Sequence, residues 1–178
     1  MPIIDVRSPG EFAKGHATDA ISIPLFSDQE RAEIGTIYKK KGSEKAIRLG
    51  LEYVGPRMSK IVDDVDKVSK ISPIELYCWR GGMRSKSVEW LLNTAGYEVY
   101  RWEGGYKAYR KKVLDIWGLE RSYMILSGLT GSAKTEILRE MIILGAPVID
   151  LEGQANHKGS AFGHIGEISQ PTVEQFEN

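Results

Sequence analysis

One stretch constrains this chain more than any other. Ile74-Glu75-Leu76-Tyr77 runs into Cys78-Trp79-Arg80-Gly81-Gly82-Met83-Arg84-Ser85, and Val88, Leu91, Leu92 and Ala95 follow at helical spacing, with Gly96 as the expected helix stop. A short apolar strand that breaks into glycines and then feeds a helix is a strand–loop–helix unit of a parallel sheet, because parallel strands are joined by helical crossovers. Successive N–H groups of such a loop can turn inward, and the helix N-terminus adds partial positive charge; together they hold an oxyanion. The same field favours a thiolate over a thiol, so Cys78 is expected to be an activated nucleophile rather than a packing residue. Trp79, Arg80, Gly81, Gly82, Met83, Arg84 and Ser85 are then the candidate anion-binding loop. Arg80 and Arg84 supply charge, and Gly81 and Gly82 admit backbone conformations that a Cβ resists.

The flanking sequence repeats the alternation. Ile3 to Val6 and Ala20 to Pro24 read as strands, the second stopped by its proline. Ser27 to Ser72 reads as helical, with Pro56 in a first turn and Met58, Ile61, Val62, Val65 and Val68 on one face. Val99 to Trp102 reads as a strand, Glu103-Gly104-Gly105 as a turn and Tyr106 to Trp117 as a helix. This order predicts an α/β domain with a parallel sheet flanked by helices over residues 1–117.

After Gly118 comes a second loop, Gly128-Leu129-Thr130-Gly131-Ser132-Ala133-Lys134-Thr135. It nearly fits the Walker A pattern, with Tyr123 to Ser127 expected as the strand before it and a helix after it to about Leu144. Gly128, Thr130, Gly131, Ser132, Ala133, Lys134 and Thr135 are the candidate phosphate-binding residues: loop N–H groups cradle oxygens, Lys134 reaches the phosphates, and Thr135 is the ligand for a Mg²⁺ ion. Ala133 stands where the pattern has glycine, and its Cβ is expected to crowd the loop or the phosphate. A further strand is expected from Pro147 to Leu151. Two strands and one helix are too little for an independent core, so residues 118–178 are expected to be the beginning of a P-loop NTPase-like α/β domain. His157 and Lys158 are expected to be loop residues.

Bulk properties narrow the function classes. Across 178 residues, Lys plus Arg balances Asp plus Glu at 24 each, so the whole molecule exerts no long-range pull on nucleic acid or membrane. A single cysteine forms no internal disulfide and suits a reducing compartment. The chain starts without a charged, apolar leader, and no run approaches the roughly 20 apolar residues of a membrane span. A cytoplasmic location without a membrane partner is expected, and no resident metal site is visible.

Residues 1–117 resemble the rhodanese domain. Asp5-Val6-Arg7-Ser8-Pro9-Gly10-Glu11-Phe12, with Gly15-His16 and Ala20-Ile21-Ser22-Ile23-Pro24, is similar to that family's opening motif, and Glu103-Gly104-Gly105-Tyr106 to its closing one. The resemblance implies that Cys78 carries persulfide-type chemistry. Asp5, Arg7 and His16 are expected to be structural, in strand-end ion pairs and turn hydrogen bonds. The loop has one more residue between Cys78 and Arg84 than many rhodaneses have. This C-x5-R length is shared with cysteine phosphatases and makes a cradle wide enough for phosphate or selenophosphate. A phosphatase also needs a general acid, which the sequence does not identify.

The whole chain resembles the tRNA 2-selenouridine synthase family. The stretches that carry this beyond a generic rhodanese are Ile37-Tyr38-Lys39-Lys40-Lys41-Gly42-Ser43, the Cys78–Ser85 loop, and Asp150-Leu151-Glu152-Gly153 with His157-Lys158-Gly159-Ser160-Ala161-Phe162-Gly163. The resemblance implies a transferase that replaces the sulfur of wobble 2-thiouridine with selenium by way of an S-geranyl intermediate. Its substrates would be selenophosphate and geranyl diphosphate, its partners tRNA and a selenophosphate-supplying enzyme, with no tightly bound cofactor. Family members continue well past a P-loop segment of this length, so a shortened chain is expected. Lys39-Lys40-Lys41 and Arg110-Lys111-Lys112 are candidate tRNA-backbone contacts, although a net charge of zero favours reading them as solvated helix faces. A cysteine phosphatase and a non-catalytic anion- or tRNA-binding module remain as alternatives.

Overall fold

A computed structural model describes residues 1–69, 73–129 and 131–178; Ser72, the end of the long helical reading, and Thr130 of the phosphate loop lie outside them. The chain divides into two compact units, Met1–Trp117 with Glu177–Asn178, and Gly118–Phe176.

The first unit is built on four parallel strands: β1 (Ile3–Asp5), β2 (Ala20–Ser22), β3 (Ile74–Tyr77) and β4 (Val99–Arg101), in the order β2-β1-β3-β4. Asp5 is level with Ser22 and Tyr77, and Leu76 with Arg101. The strands therefore end together, and the segments leaving β1, β3 and β4 gather along one edge of the sheet. Open parallel sheets place their sites at this carboxyl edge.

Helices α1 (Pro9–Lys14), α2 (Asp28–Lys41), α3 (Ser43–Val54), α4 (Met58–Val68), α5 (Met83–Thr94) and α6 (Gly105–Trp117) complete the unit. Helix α1 starts with a capping box: Ser8 precedes Pro9, and the Glu11 carboxylate accepts the Ser8 N–H at 3.1 Å. Ser27 and Glu30 repeat the device at α2, at 2.8 and 3.2 Å. The long helical reading breaks at Gly42, where φ of 86° suits glycine. Pro56 does not open α4; it sits in a 3-10 turn, Gly55–Arg57, immediately before it.

Two apolar clusters hold the sheet. Ile4, Val6, Ile23, Leu25, Ile74, Leu76, Val88 and Leu92 form the larger, closed by Ile61 and Val65 of α4. Tyr77, Ala17 and Tyr106, with Trp102 and Tyr109 against them, form the smaller. Arg7, 1% exposed, is ion-paired to buried Asp5 at 2.6 Å and lies over the Tyr106 ring at 3.8 Å. No described helix is long and apolar enough to cross a membrane.

The second unit contains α7 (Lys134–Ile143), α8 (Leu151–Ala155) and α9 (Val173–Phe176). Here two expectations fail: neither Tyr123–Ser127 nor Pro147–Leu151 forms a strand, and Leu151 instead opens α8. A strand needs a neighbour for its N–H and C=O groups, and no described residue of this unit supplies one. Met124 is accordingly 99% exposed and Ile125 84%. Every buried hydrophobic side chain described lies in residues 1–117.

Candidate active site

Cys78 leaves the carboxyl end of β3, 3% exposed, and the loop after it is pulled backward by its carbonyls. Tyr106 N–H donates to Cys78 O at 2.9 Å and Lys107 N–H to Trp79 O at 3.0 Å. Arg101 Nη1 donates to Gly81 O at 2.7 Å, while Lys86 N–H reaches Gly82 O at 3.0 Å. With these acceptors turned toward β4, α6 and α5, the N–H groups of Ser85 and Arg80 are among those that favour the Cys78 thiolate. Such an arrangement favours an anion at this place, a thiolate among them.

The fit depends on Gly105. Its φ is 57°, and a Cβ there would lie 2.2 Å from Cys78 O and 2.6 Å from Gly81 N. The Gly104-Gly105 turn is thus the backing plate of the cysteine loop.

Burial pushes the Cys78 thiol up. The Ser85 hydroxyl at 3.2 Å, the N–H groups of Ser85 and Arg80, and the Arg84 charge outweigh it, so the pKa falls below the ordinary thiol range. Arg84 is held by Glu11, Nη1 to Oε2 at 2.7 Å and Nη2 to Oε1 at 3.3 Å. Gly82 precedes α5 as its N-cap. The Trp79 and Arg80 side chains are exposed, as is Met83 at 60%. The Cys78 and Ser85 side chains therefore meet, whereas the Arg84 side chain is turned onto Glu11 and acts on Cys78 through its charge.

Glu11 is the residue that sequence reasoning missed at this site. The Ser8–Glu11 capping spacing was a readable signal for α1, but nothing local ties residue 11 to residue 84. Asp5 and Arg7 form the expected strand-end ion pair, and His16 Nδ1 hydrogen-bonds Phe12 O at 3.0 Å with its ring stacked on Phe12.

In the phosphate loop, Lys134 Nζ donates to Gly128 O at 2.9 Å and Leu129 O at 2.8 Å, and Ser132 Oγ donates to Leu129 O at 2.8 Å. Gly131 has φ of 81°, and Ala133 caps α7 at φ 57°, ψ 26°. Ala133 therefore adopts left-handed backbone, disfavoured by about 1 kcal/mol for an L-residue. Thr135 lies in the first turn of α7. Beyond it, Asp150 caps α8 by accepting Gly153 N–H at 2.9 Å. His157 Nδ1 accepts Gly159 N–H at 3.1 Å, and Lys158 pairs with Glu167 at 2.7 Å, so both serve their own loop. Among the described residues no group of three or more His, Cys, Asp or Glu side chains is placed to hold a metal ion. Lys39, Lys40 and Lys41 are exposed at the end of α2, whereas Arg110 is paired with Glu177.

The rhodanese-like domain matches residues 1–112, and the tRNA 2-selenouridine synthase AAA domain matches residues 121–178. The chain is 39% identical over 183 residues to the tRNA 2-selenouridine synthase of Bdellovibrio bacteriovorus, covering 100% of this chain and 48% of that protein. The synthase of Shewanella frigidimarina is 41% identical over 184 residues, covering 99% and 48%. The chain thus spans about half the length of these curated relatives. Among solved structures, the N-terminal domain of a Clostridium difficile 630 protein named for ATP/GTP binding is 44% identical. It has a TM-score of 0.59 and covers 63% of this chain and 88% of that one.

Proposed function

We propose that this chain, which belongs to the tRNA 2-selenouridine synthase family, takes part in replacing the sulfur of wobble 2-thiouridine with selenium, with Cys78 as the selenium-carrying thiol once a disulfide has supplied the two-electron oxidation: selenide released from selenophosphate attacks Cys78 Sγ of a mixed disulfide, the S–Se bond forms, and the partner thiolate leaves. The observation that carries the proposal is the nest itself: a buried thiol, lowered in pKa, facing inward N–H groups and the Arg84 charge. A loop with five residues between Cys78 and Arg84 suits selenophosphate, a tetrahedral oxyanion that brings selenium with it.

The second loop is assigned the diphosphate of geranyl diphosphate, which makes the tRNA sulfur a better leaving group. Lys134 would exchange its bonds to Gly128 O and Leu129 O for phosphate oxygens. Thr135 is the residue that would hold Mg²⁺ there. tRNA is the acceptor, with the exposed Lys39, Lys40 and Lys41 as backbone contacts, and a selenophosphate-supplying enzyme is the upstream partner.

A phosphatase reading draws on the C-x5-R loop and the Cys78–Ser85 contact at 3.2 Å. One experiment separates the readings: incubation with selenophosphate and a low-molecular-weight disulfide as the two-electron oxidant, followed by mass spectrometry of the Cys78 peptide. A selenium adduct is expected. A phosphorus adduct with release of phosphate from an aryl phosphate would establish the phosphatase, and no adduct with retained tRNA binding would leave a binding module.

A further inference from the structure

The Arg84–Glu11 pair joins the first turn of α5 to the first turn of α1, 73 residues apart in sequence. It poses a physical question: a loop that binds anions should not neutralise its own arginine. Glu11 nevertheless meets it with both carboxylate oxygens, at 2.7 and 3.3 Å. Glu11 is not free to move aside. Its Oε2 also accepts the Ser8 N–H at 3.1 Å and the Ser8 hydroxyl at 3.2 Å, and Arg31 Nε stands 3.7 Å away. The carboxylate is part of the scaffold of α1, and Arg84 is the partner that fits to it.

Both contacts use the terminal nitrogens of Arg84, one hydrogen from each. A guanidinium has five N–H donors in a rigid plane, so the Nε–H edge is left unspent by Glu11. A planar group gripped at its end has lost the freedom to rotate away, and its remaining donors keep one direction. That is preorganisation of an anion clamp, gained at the expense of part of its charge.

We propose that Glu11 is a positioning residue: it grips Arg84 end-on so that the remaining guanidinium edge serves a tetrahedral oxyanion seated over Cys78. The inference rests on the reading of the cysteine loop as an oxyanion site. It makes Arg84 a clamp of fixed direction, selecting a phosphate-like group over a compact donor with no oxygens to accept the fork.

Glu11→Gln decides between positioning and neutralisation, because the two act with opposite sign. Glutamine also serves a capping box, so α1 keeps its start. The full 178-residue chain is used, and alkylation of Cys78 by iodoacetamide reports on one site, since Cys78 is the only cysteine. The rate is followed against pH and against inorganic phosphate. If phosphate does not slow alkylation of the wild-type chain, the oxyanion reading itself fails, whatever Glu11 does. If it does, the inference expects Glu11→Gln to raise the half-protecting phosphate concentration about tenfold, the scale of one charge-assisted hydrogen bond. It also expects the pH–rate profile to move to higher pH as Arg84 drifts from the thiolate. Phosphate binding that is unchanged or tighter, with a profile moved to lower pH, would mean that Glu11 only neutralises Arg84, and would overturn the inference. In an Arg84→Lys background, which lacks the fork, Glu11→Gln should add nothing further; additive losses would also overturn it.

Discussion

Ser85 Oγ lies 3.2 Å from Cys78 Sγ and 3.1 Å from Gly82 O, with a single proton to share between them. While Cys78 is a thiol, the hydroxyl can donate to Gly82 O and accept from the S–H. Once the thiolate forms, the better acceptor is sulfur, and the hydroxyl proton turns to it. Ionisation of Cys78 is thereby coupled to release of a loop carbonyl.

Ser85→Ala removes that proton from a site where Ser85 is fully buried. Burial of Cys78 then meets less opposition, and the thiol pKa rises, because a hydrogen bond that favoured the thiolate is gone. The pH dependence of Cys78 alkylation, or ultraviolet absorbance of the thiolate, measures the shift. A profile at unchanged pH would assign thiolate stabilisation to the backbone N–H groups and Arg84 alone.

Gly105→Ala and Gly42→Ala share a positive φ and differ in surroundings. At Gly105 a Cβ meets Cys78 O and Gly81 N, both backbone, whereas at Gly42 nothing lies within 4 Å. The first should therefore cost about 4 kcal/mol or more and displace the cysteine loop, and the second, with φ of 86° and ψ of 174° in a region that only glycine adopts readily, about 2 kcal/mol of backbone strain. Urea unfolding of the two variants tests the contrast, and equal losses would count against the backing role of Gly105.

Arg7→Leu tests the buried ion pair. Asp5 is 0% exposed, and besides the Arg7 N–H it depends on the guanidinium that the substitution removes. Leaving that carboxylate without a cation should cost on the order of 4 kcal/mol. Arg7→Leu with Asp5→Leu should recover part of the loss, since an apolar pair has no charge to desolvate. Thermal unfolding of the single and double variants gives the comparison.

Stability on the acid side should depend on Glu11. Burial pushes its carboxyl up, but the hydrogen bond and charge of Arg84, the Ser8 N–H and Arg31 outweigh it, and its pKa falls below the ordinary glutamate range. Below the unfolded value, the unfolded chain takes up its proton before the folded one does. The contribution of Glu11 is therefore complete above the ordinary glutamate value and is lost as pH falls through the lower folded value. Unfolding free energies measured on that acid limb should slope less steeply in Glu11→Gln than in the wild-type chain.

The strand ends and glycines around Cys78 were legible because their signals are local. An apolar run that stops in Cys-x-x-Gly-Gly dictates a turn into a helix whatever surrounds it, and β3, the loop and α5 follow. The Ser8-Pro9-Gly10-Glu11 start of α1 is an equally local signal. Gly42 split one long helical reading because a single φ of 86° outweighs periodicity on either side. The unformed strands at Tyr123–Ser127 and Pro147–Leu151 show the opposite case. Their apolar residues read as strands, but a strand exists only with a partner to accept its hydrogen bonds.

The sequence by itself determined that Cys78 sits in a nest of N–H groups with an arginine nearby, since chain order and glycine placement suffice for that. Only the tertiary structure decided that the nest is backed by Gly105 and that Arg84 is gripped by Glu11. The reason is register. Parallel pairing brings the ends of β1, β3 and β4 to one edge, so residue 11 meets residue 84 and residue 105 meets residue 78 there. No spacing along the chain encodes that meeting.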